Sequence, residues 1–353
     1  GEVLLRMGRP QAALGPLEDA RRRIPPTVND LVWADHLLAQ ARLDLGHPRD
    51  AEAILARTDR DGLSGAALLE RSALRLCIAA ATGDTAGADR ALDLLERGVR
   101  ARWRRRGVDR RVREAARTLA RAKPSANARI TDASGDPDAP RRAERAARAW
   151  QVAVALGPKV PPDPDFARDL RSAGARIPLG PLWLEARIGR GGMGDVWRAT
   201  HRSGGQVAVK LVRGGGRAQA ELFDAEMRAV ARLDHPGVVR VLAALRVDPV
   251  AAAMLAVDGT PLADGGRALV MELVSAGSLE DRAKGWDWPS ARALLLDVLA
   301  ALGHAHARGV LHLDIKPGNV LLDRVDGAVV PRLTDFGLAG LRSEEHTSEL
   351  QSP

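Results

Sequence analysis

The sequence predicts a multidomain chain, with all-α helical repeats in its first part and an α+β domain built on an antiparallel sheet in its second. Its 353 residues are long enough for two or three domains. A glycine–alanine spacing recurs three times before residue 100. From about residue 179 the pattern changes to strand–turn–strand segments, followed by a helical pattern over 291–306.

Residues 1–100 carry a periodic pattern of small residues. Glycines recur 38 and 37 residues apart and the fifth residue after each is alanine, as in the pairs Gly8 and Ala13, Gly46 and Ala51, and Gly83 and Ala88. Glycine turns and small residues at helix crossings resemble tetratricopeptide helical hairpins, whose usual period is about 34. A generic helical bundle is the alternative. Such repeats expose a concave face, so we expect a peptide or protein partner here.

Residues 101–178 are rich in arginine and alanine and are interrupted by loops. Proline and glycine clusters at 134–140 and 157–164 break the pattern, and a helix is predicted over 141–156. We interpret 101–178 as a helical connector.

The second part opens with a glycine loop, in which residues 189–194 read Gly-Arg-Gly-Gly-Met-Gly. Missing Cβ atoms let such a backbone close over phosphate groups. The same glycines could open a dinucleotide-binding βαβ unit, but that unit needs a helix directly after the last glycine. Here residues 195–200 and 206–210 have strand patterns and a turn lies at 203–205, so a hairpin is predicted.

Three more motifs follow at characteristic distances. Residues 207–210 read Val-Ala-Val-Lys, residues 312–319 read His-Leu-Asp-Ile-Lys-Pro-Gly-Asn, and residues 335–337 read Asp-Phe-Gly. In this order the four motifs resemble those of the eukaryotic-like Ser/Thr protein kinases of bacteria, over 179–341. The resemblance implies an antiparallel N-lobe, the start of a helical C-lobe, ATP and Mg²⁺ as cofactors, and transfer of the γ-phosphate to Ser or Thr of protein substrates.

The resemblance also implies roles for individual residues. Asp314 would be the catalytic base, and Lys316 would neutralise charge on the transferring phosphoryl group. Asn319 and Asp335 would hold Mg²⁺. The Lys-Pro-x-Asn form of this motif is typical of Ser/Thr rather than Tyr kinases.

Lys210 would contact the α- and β-phosphates and pair with a glutamate on the following helix. Apolar spacing over 223–233 predicts that helix, with Glu226 as the partner and Glu221 and Asp224 as alternatives. Of the 53 lysine and arginine residues, only five are lysines: Lys123, Lys159, Lys210, Lys284 and Lys316. A lysine at position 210 therefore indicates a requirement for a compact ammonium group.

The nucleotide site implied by the resemblance combines the glycine loop, the next two strands and a hinge. Met271 would be the gatekeeper, and Glu272 and Val274 would offer backbone groups to adenine. The full set is Gly189, Arg190, Gly191, Gly192, Met193, Gly194, Val196, Ala208, Lys210, Met271, Glu272 and Val274.

Two further segments are interpreted as structural. Asp248–Gly266 is longer than a tight hairpin needs, and we expect a surface insertion without an assigned role. The pattern over 291–306 predicts a long buried helix, in which His304 and His306 have structural roles.

One position departs from the family pattern. The family usually has arginine between the residues equivalent to His312 and Asp314, where this chain has Leu313. That arginine normally pairs with a phosphorylated activation loop, which a leucine side chain cannot do. We therefore expect activity without this phosphorylation.

Both ends of the sequence indicate that it is a piece of a longer protein. Gly1 is not an initiator methionine, and no Ala-Pro-Glu motif follows residue 341. Residues 342–352 match the in-frame translation of a sequencing-library adapter, and we interpret 342–353 as an artefact tail. We expect the domain at 179–341 to be truncated, and the chain itself to be inactive.

Composition excludes several other classes. The net charge is +8, but tyrosine is absent and phenylalanine is rare, so the aromatic and basic interleaving of nucleic-acid binding is missing. The arginine cluster at 100–113 is interpreted as a solvated helix face. The single cysteine, Cys77, favours a reducing compartment, and no run of 18 apolar residues predicts a membrane span. We expect a cytoplasmic location, with any membrane anchor in a region outside this sequence.

Two alternatives to an active protein kinase stay open. One is a pseudokinase or scaffold that acts through the helical repeats, against which the intact Lys210, Asp314, Asn319 and Asp335 argue. The other is a small-molecule kinase of related fold, which the glycine loop and the Lys-Pro-x-Asn form disfavour.

Overall fold

The computed structural model divides the chain into two compact units, Gly1–Pro178 and Leu179–Pro353. The boundary lies where the sequence predicts the start of the α+β domain. The structure describes residues 1–24, 29–58, 63, 65–103, 107–121, 136–191, 194–212, 217–260, 262, 266–282, 286–325 and 327–336. The side chains of 29, 217–220, 222 and 226 also lie outside this description. The predicted artefact tail and the loop residues Gly192 and Met193 fall outside the described residues.

The described part of the first unit is helical. Its helices are α1 (Glu2–Arg6), α2 (Pro10–Arg23), α3 (Asn29–Asp44), α4 (Pro48–Ala56), α5 (Gly65–Thr82), α6 (Thr85–Arg100), α7 (Val108–Arg121), α8 (Ala139–Leu156) and α9 (Pro164–Ser172). The predicted turns at Gly8, Gly46 and Gly83 fall between α1 and α2, α3 and α4, and α5 and α6. All three glycines have positive φ, between 69° and 80°, which favours glycine.

The alanines of the repeating pattern are packing residues. Ala13, Ala51 and Ala88 are fully buried on α2, α4 and α6. Beyond the predicted repeats, α7 packs on α5, and α8 packs on α6 and α7. Two arginines of α8 tie it to α6, because Arg145 and Arg148 form ion pairs with acidic residues of α6. Helices α7–α9 thus belong to the same compact unit as α1–α6, and the division at residue 100 stays a prediction.

The second unit is built around an antiparallel sheet. Its strands are β1 (Ile177–Leu179), β2 (Leu182–Gly191), β3 (Gly194–His201), β4 (Gln206–Val212), β5 (Val241–Arg246) and β6 (Arg267–Glu272), in the order β1-β2-β3-β4-β6-β5. A second hairpin pairs β7 (Val320–Val325) with β8 (Ala328–Leu333). The predicted strand–turn–strand pattern after the glycine loop is confirmed by β3 and β4. Their pairing runs from Gly194 opposite Val212 to Thr200 opposite Gln206.

The described part of this unit also contains helices. They are α10 (Arg217–Val230), α11 (Pro249–Val257), α12 (Leu279–Arg282) and α13 (Trp288–His306), and a 3₁₀ turn spans Pro317–Asn319. Phe223, Met227 and Val230 of α10 are buried in one core with Val298 and Ala301 of α13. None of the helices in the described part of the chain is both long and apolar enough to cross a membrane.

Two predictions about this unit are wrong. The predicted surface insertion contains α11, of which Val250, Ala251, Met254 and Leu255 are fully buried. The predicted buried helix is buried along one face only. On α13, Leu294 and Val298 are buried, whereas the side chains of Leu295, Leu296 and Leu299 are 49%, 48% and 61% exposed. The apolar residues of α13 therefore lie in two different environments, one buried and one exposed to solvent.

Candidate active site

The centre of the site is an ion pair between β4 and the residues after β8. Lys210 lies in the middle of the sheet and is only 4% exposed. Its Nζ is 2.6 Å from Oδ2 of Asp335, a residue 125 positions further along the chain. A buried ammonium group needs a counter-charge, and Asp335 supplies it. The lysine motif and the Asp-Phe-Gly motif are thus brought together.

A second cluster forms around Asp314. The amide nitrogen Nδ2 of Asn319 donates to the Asp314 backbone oxygen at 2.8 Å and to its Oδ2 at 3.1 Å. Lys316 Nζ lies 2.7 Å from the same carboxylate oxygen. The 3₁₀ turn at Pro317–Asn319 folds the chain back, so that residue 319 reaches residue 314. Asn319 is buried while Lys316 is half-exposed, so the lysine is accessible to a substrate group.

Backbone contacts join the two clusters. Thr334, directly before Asp335, donates its N–H to the Asn319 backbone oxygen at 3.0 Å. Its carbonyl oxygen lies 2.9 Å from Nε2 of His312, and the His312 ring packs 4.5 Å from the Phe336 ring. Asp335 has a φ of 68°, which is uncommon for a non-glycine residue. This backbone conformation determines where the Asp335 carboxylate points.

The protonation state of His312 follows from its surroundings. Burial lowers the pKa of the imidazole, which favours the neutral ring. The Asp314 backbone N–H points to Nδ1 at 3.3 Å, so Nδ1 accepts and Nε2 donates to Thr334. The supporting roles of His312, Thr334 and Phe336 were missed by sequence reasoning. His312 and Phe336 lie inside recognised motifs, which was the available signal.

The glycine loop is the hairpin between β2 and β3. Gly191 pairs with Gly194, and Gly189 with Val196. Gly194 has a φ of 140°, and a Cβ atom there would lie only 1.7 Å from the Leu211 carbonyl oxygen. No side chain fits at this position, so the sequence requirement for glycine has a steric cause.

The predicted nucleotide contacts share one face of the sheet. Val196 is opposite Lys210 across β3 and β4, and Ala208 is opposite Met271 across β4 and β6. Because residues two apart on a strand share a face, these four side chains lie on the same face. Arg190, by contrast, is an exposed residue near the end of β2, and its guanidinium lies 3.7 Å from the Asp195 carboxylate.

The predicted hinge residues are placed differently from each other. Strand β6 ends at Glu272, so Val274 lies two residues beyond it, packed against the core. The Glu272 carboxylate accepts from the backbone N–H of Arg240 at 2.9 Å and from Arg332 at 2.8 Å. The Glu272 side chain thus ties the end of β6 to β8.

The predicted partner of Lys210 is a glutamate on α10. Glu226 lies on α10, but its side chain is outside the described residues, so this pair stays a prediction. The alternative Asp224 is wrong, because its carboxylate accepts from Arg267 at 2.9 and 3.1 Å, which lowers its pKa. The other alternative, Glu221, is exposed. The carboxylate found beside Lys210 is that of Asp335.

The donor set fits Mg²⁺. Because the Asn319 amide nitrogen is turned to Asp314, its amide oxygen could serve as a ligand atom, and Asp335 could contribute a carboxylate. Mg²⁺ is commonly held by one or two carboxylates together with substrate phosphates. Among the described residues, no group of three or more His, Cys, Asp or Glu side chains forms a metal site.

Comparison with known proteins agrees with this geometry. Residues 183–352 match the family model of the protein kinase domain. The chain is 37% identical over 183 residues to the serine/threonine-protein kinase PkaA of Streptomyces coelicolor, covering 46% of this chain and 31% of that protein. It is 40% identical over 166 residues to PkaB of the same organism, covering 44% and 36%.

A third relative comes from another organism. Over 165 residues the chain is 39% identical to the DNA damage-responsive serine/threonine-protein kinase RqkA of Deinococcus radiodurans, covering 46% of this chain and 22% of that protein. The chain thus spans about a third or less of the length of these curated relatives. The residues that match the protein kinase domain model lie in the second half of the chain.

Proposed function

We propose that this chain carries the nucleotide-binding and catalytic residues of an ATP-dependent serine/threonine protein kinase. The observation that carries the proposal is the 2.6 Å contact between Lys210 and Asp335, joined through Thr334 to the Asp314, Lys316 and Asn319 cluster. Phosphoryl transfer needs cationic groups on the phosphates, ligands for the metal and a base at the attacking hydroxyl. The two clusters supply these three kinds of group.

The chemistry of the proposed step assigns one task to each cluster. The Asp314 carboxylate orients the substrate hydroxyl and accepts its proton, while the hydroxyl oxygen forms a bond to the γ-phosphorus and the bond to the β-phosphate oxygen breaks. Lys316, 2.7 Å from Asp314, stabilises charge on the group in transfer. Lys210 would hold the remaining phosphates. Asn319 and Asp335 would hold Mg²⁺, which would neutralise phosphate charge.

We further propose that residues 1–100 form an interaction module of tetratricopeptide-like hairpins that bind a peptide or protein partner. The support is the agreement between the sequence period and the positive-φ glycine turns with their buried alanines. The single cysteine supports a reducing, cytoplasmic location for this part of the protein.

The proposed activity is tested with two substitutions and a matched control in the full gene product. Lys210→Met and Asp314→Ala should each abolish transfer of labelled γ-phosphate to a generic acceptor protein. Lys159→Met replaces an exposed lysine of the first unit and should retain activity. Folding of each variant is checked by circular dichroism. Full activity of either folded variant would contradict the proposal.

A further inference from the structure

The connection between β5 and β6 contains helix α11, and both ends of this helix are capped. The Asp248 carboxylate accepts from the N–H groups of Val250 and Ala251 at 2.9 and 3.1 Å, which caps the start of α11. At the other end, Gly259 has a φ of 74°, and the Thr260 N–H bonds back to the Leu255 oxygen at 2.9 Å. The buried face of α11 and these two caps hold the turn at 258–260 in one place.

This turn contacts the residue that follows the glycine loop. Thr260 Oγ1 donates to Oδ2 of Asp195 at 2.6 Å, and both side chains are buried. Asp195 directly follows Gly194, the last glycine of the loop. A buried carboxylate is stable only with donors around it, so Thr260 supplies part of what Asp195 requires.

Two arginines on the opposite strand complete the network. Arg187 Nη1 lies 3.3 Å from Asp195 Oδ2 and 3.4 Å from the Asp258 backbone oxygen. Arg190 Nη2 lies 3.5 Å from the Gly259 backbone oxygen. Both arginines belong to β2, which enters the loop, and Asp195 belongs to β3, which leaves it. The turn at 258–260 therefore contacts both strands of the hairpin.

The side chains in this network do not face the proposed nucleotide site. Neighbouring residues on a strand point to opposite faces, and Val196 packs on the core side with Ala208 and Met271. Asp195 points the other way, to Thr260. Any influence of Asp195 and Thr260 on the nucleotide must therefore pass through the backbone of the loop, which has few side chains of its own to hold it.

We propose that the turn Asp258–Thr260, presented by α11, is a clamp that fixes the base of the glycine loop and so tunes nucleotide affinity. Thr260 and Asp195 are positioning residues in this proposal, which rests on the proposed kinase function. Removing the clamp frees the loop before ATP binds, so part of the binding energy is then used to order it. The Michaelis constant for ATP should rise about fivefold or more, while kcat changes by less than about twofold.

The test compares two threonines of the same unit. Thr260→Val removes the hydroxyl with little change in shape, and Thr260→Ser keeps it. Thr200→Val is the matched control, because Thr200 Oγ1 also donates to a carboxylate, Glu185, at 2.6 Å, but at the far end of the hairpin. Asp195→Asn is a second variant, which weakens the attraction to both arginines without removing side-chain volume.

Two readouts separate the clamp from the kinase function. Hydrogen–deuterium exchange over residues 187–196, in the full gene product without nucleotide, should be faster in Thr260→Val and Asp195→Asn and unchanged in Thr260→Ser and Thr200→Val. The Michaelis constant for ATP should follow the same order. Unchanged exchange and an unchanged constant in both folded clamp variants would overturn the clamp. Faster loop exchange together with no ATP turnover by the wild-type full gene product would support the clamp and contradict the kinase function.

Discussion

The Nε2 atom of His312 lies 2.9 Å from the carbonyl oxygen of Thr334 and donates a buried hydrogen bond to it. His312 begins the motif that contains Asp314, and Thr334 directly precedes Asp335. The bond therefore sets the position of one proposed catalytic carboxylate relative to the other. This bond and the one in which Nδ1 accepts from the Asp314 N–H together require the neutral ring with its proton on Nε2.

This contact predicts a pH dependence of stability. Burial lowers the His312 pKa below its ordinary value of 6.5. As the pH falls through 6.5, the unfolded chain takes up a proton at this residue before the folded protein does. The folded state therefore loses stability on acidification and keeps the contribution above pH 6.5. The free energy of unfolding, measured with urea between pH 7.5 and 5, should fall more steeply in the wild type than in His312→Asn.

The comparison between the two proteins isolates this residue from the other titrating groups. Position 312 does not titrate in His312→Asn, so the destabilisation caused by the substitution should become smaller as the pH falls. A difference that stays constant over this range would show that His312 does not resist protonation.

The local patterns predicted much of the second unit because each has one dominant physical cause. The glycine loop was predictable since Gly194 cannot carry a side chain, and α10 was predictable since Phe223, Met227 and Val230 repeat with helical spacing. Lys210 and Asp335 were each singled out from their motifs. Their direct contact was not, because the sequence does not encode which of several carboxylates lies nearest to a buried ammonium group.

The errors arose where burial depends on tertiary contacts. Residues 249–257 have a uniformly apolar composition that does not distinguish a packed helix from a loop, and the role of Thr260 depends on a contact with Asp195, 65 residues away. On α13 the leucines 294, 295 and 296 are adjacent in sequence, yet only the first is buried. Periodicity is uninformative in such a run, because every position is apolar.

The exposed leucines of α13 predict self-association of this chain. Leu295, Leu296 and Leu299 form an exposed apolar surface on one helix, and such surfaces drive association in water. The double substitution Leu295→Gln and Leu299→Gln should raise the monomeric fraction in analytical ultracentrifugation without lowering the unfolding temperature. The buried Leu294→Gln is the contrasting variant and should destabilise the fold by about 2–5 kcal/mol. Equal association of the wild type and the double variant would contradict this interpretation.

Two glycines at opposite ends of β3 allow a matched test of steric exclusion: Gly194 begins the strand and Gly204 lies in the turn after it. Gly194→Ala places a Cβ against the Leu211 carbonyl oxygen, whereas Gly204→Ala meets no atom within 4 Å, although both glycines have positive φ. Gly204→Ala should cost about 1–2 kcal/mol from its backbone conformation alone. Gly194→Ala should cost more and should also weaken binding of a fluorescent ATP analogue. Equal urea midpoints for the two variants would refute the steric explanation.

Asn319 is expected to act on both the metal and the base. Its amide nitrogen fixes Asp314, and its oxygen is a proposed Mg²⁺ ligand. Asn319→Ala should lower kcat/KM by about a hundredfold or more and shift the Mg²⁺ dependence to higher concentration. Asn319→Asp keeps an oxygen ligand but places a second carboxylate close to Asp314, so its rate should also fall while its Mg²⁺ requirement shifts less. An Asn319→Ala enzyme with the wild-type Mg²⁺ dependence would exclude the metal role.

Leu313 predicts how the intact enzyme is regulated. Its side chain is 65% exposed and its φ is 65°, so it projects from the loop beside Asp314 without a group that binds phosphate. In related kinases an arginine at this position pairs with a phosphate on the activation loop, and that pair orders the loop. We expect the full-length enzyme to keep its initial rate after phosphatase treatment, with loss of loop phosphate verified by mass spectrometry. Leu313→Arg should introduce a dependence on that phosphate, since it restores a bidentate donor. A large fall in the wild-type rate after dephosphorylation would show that another basic residue binds the phosphate.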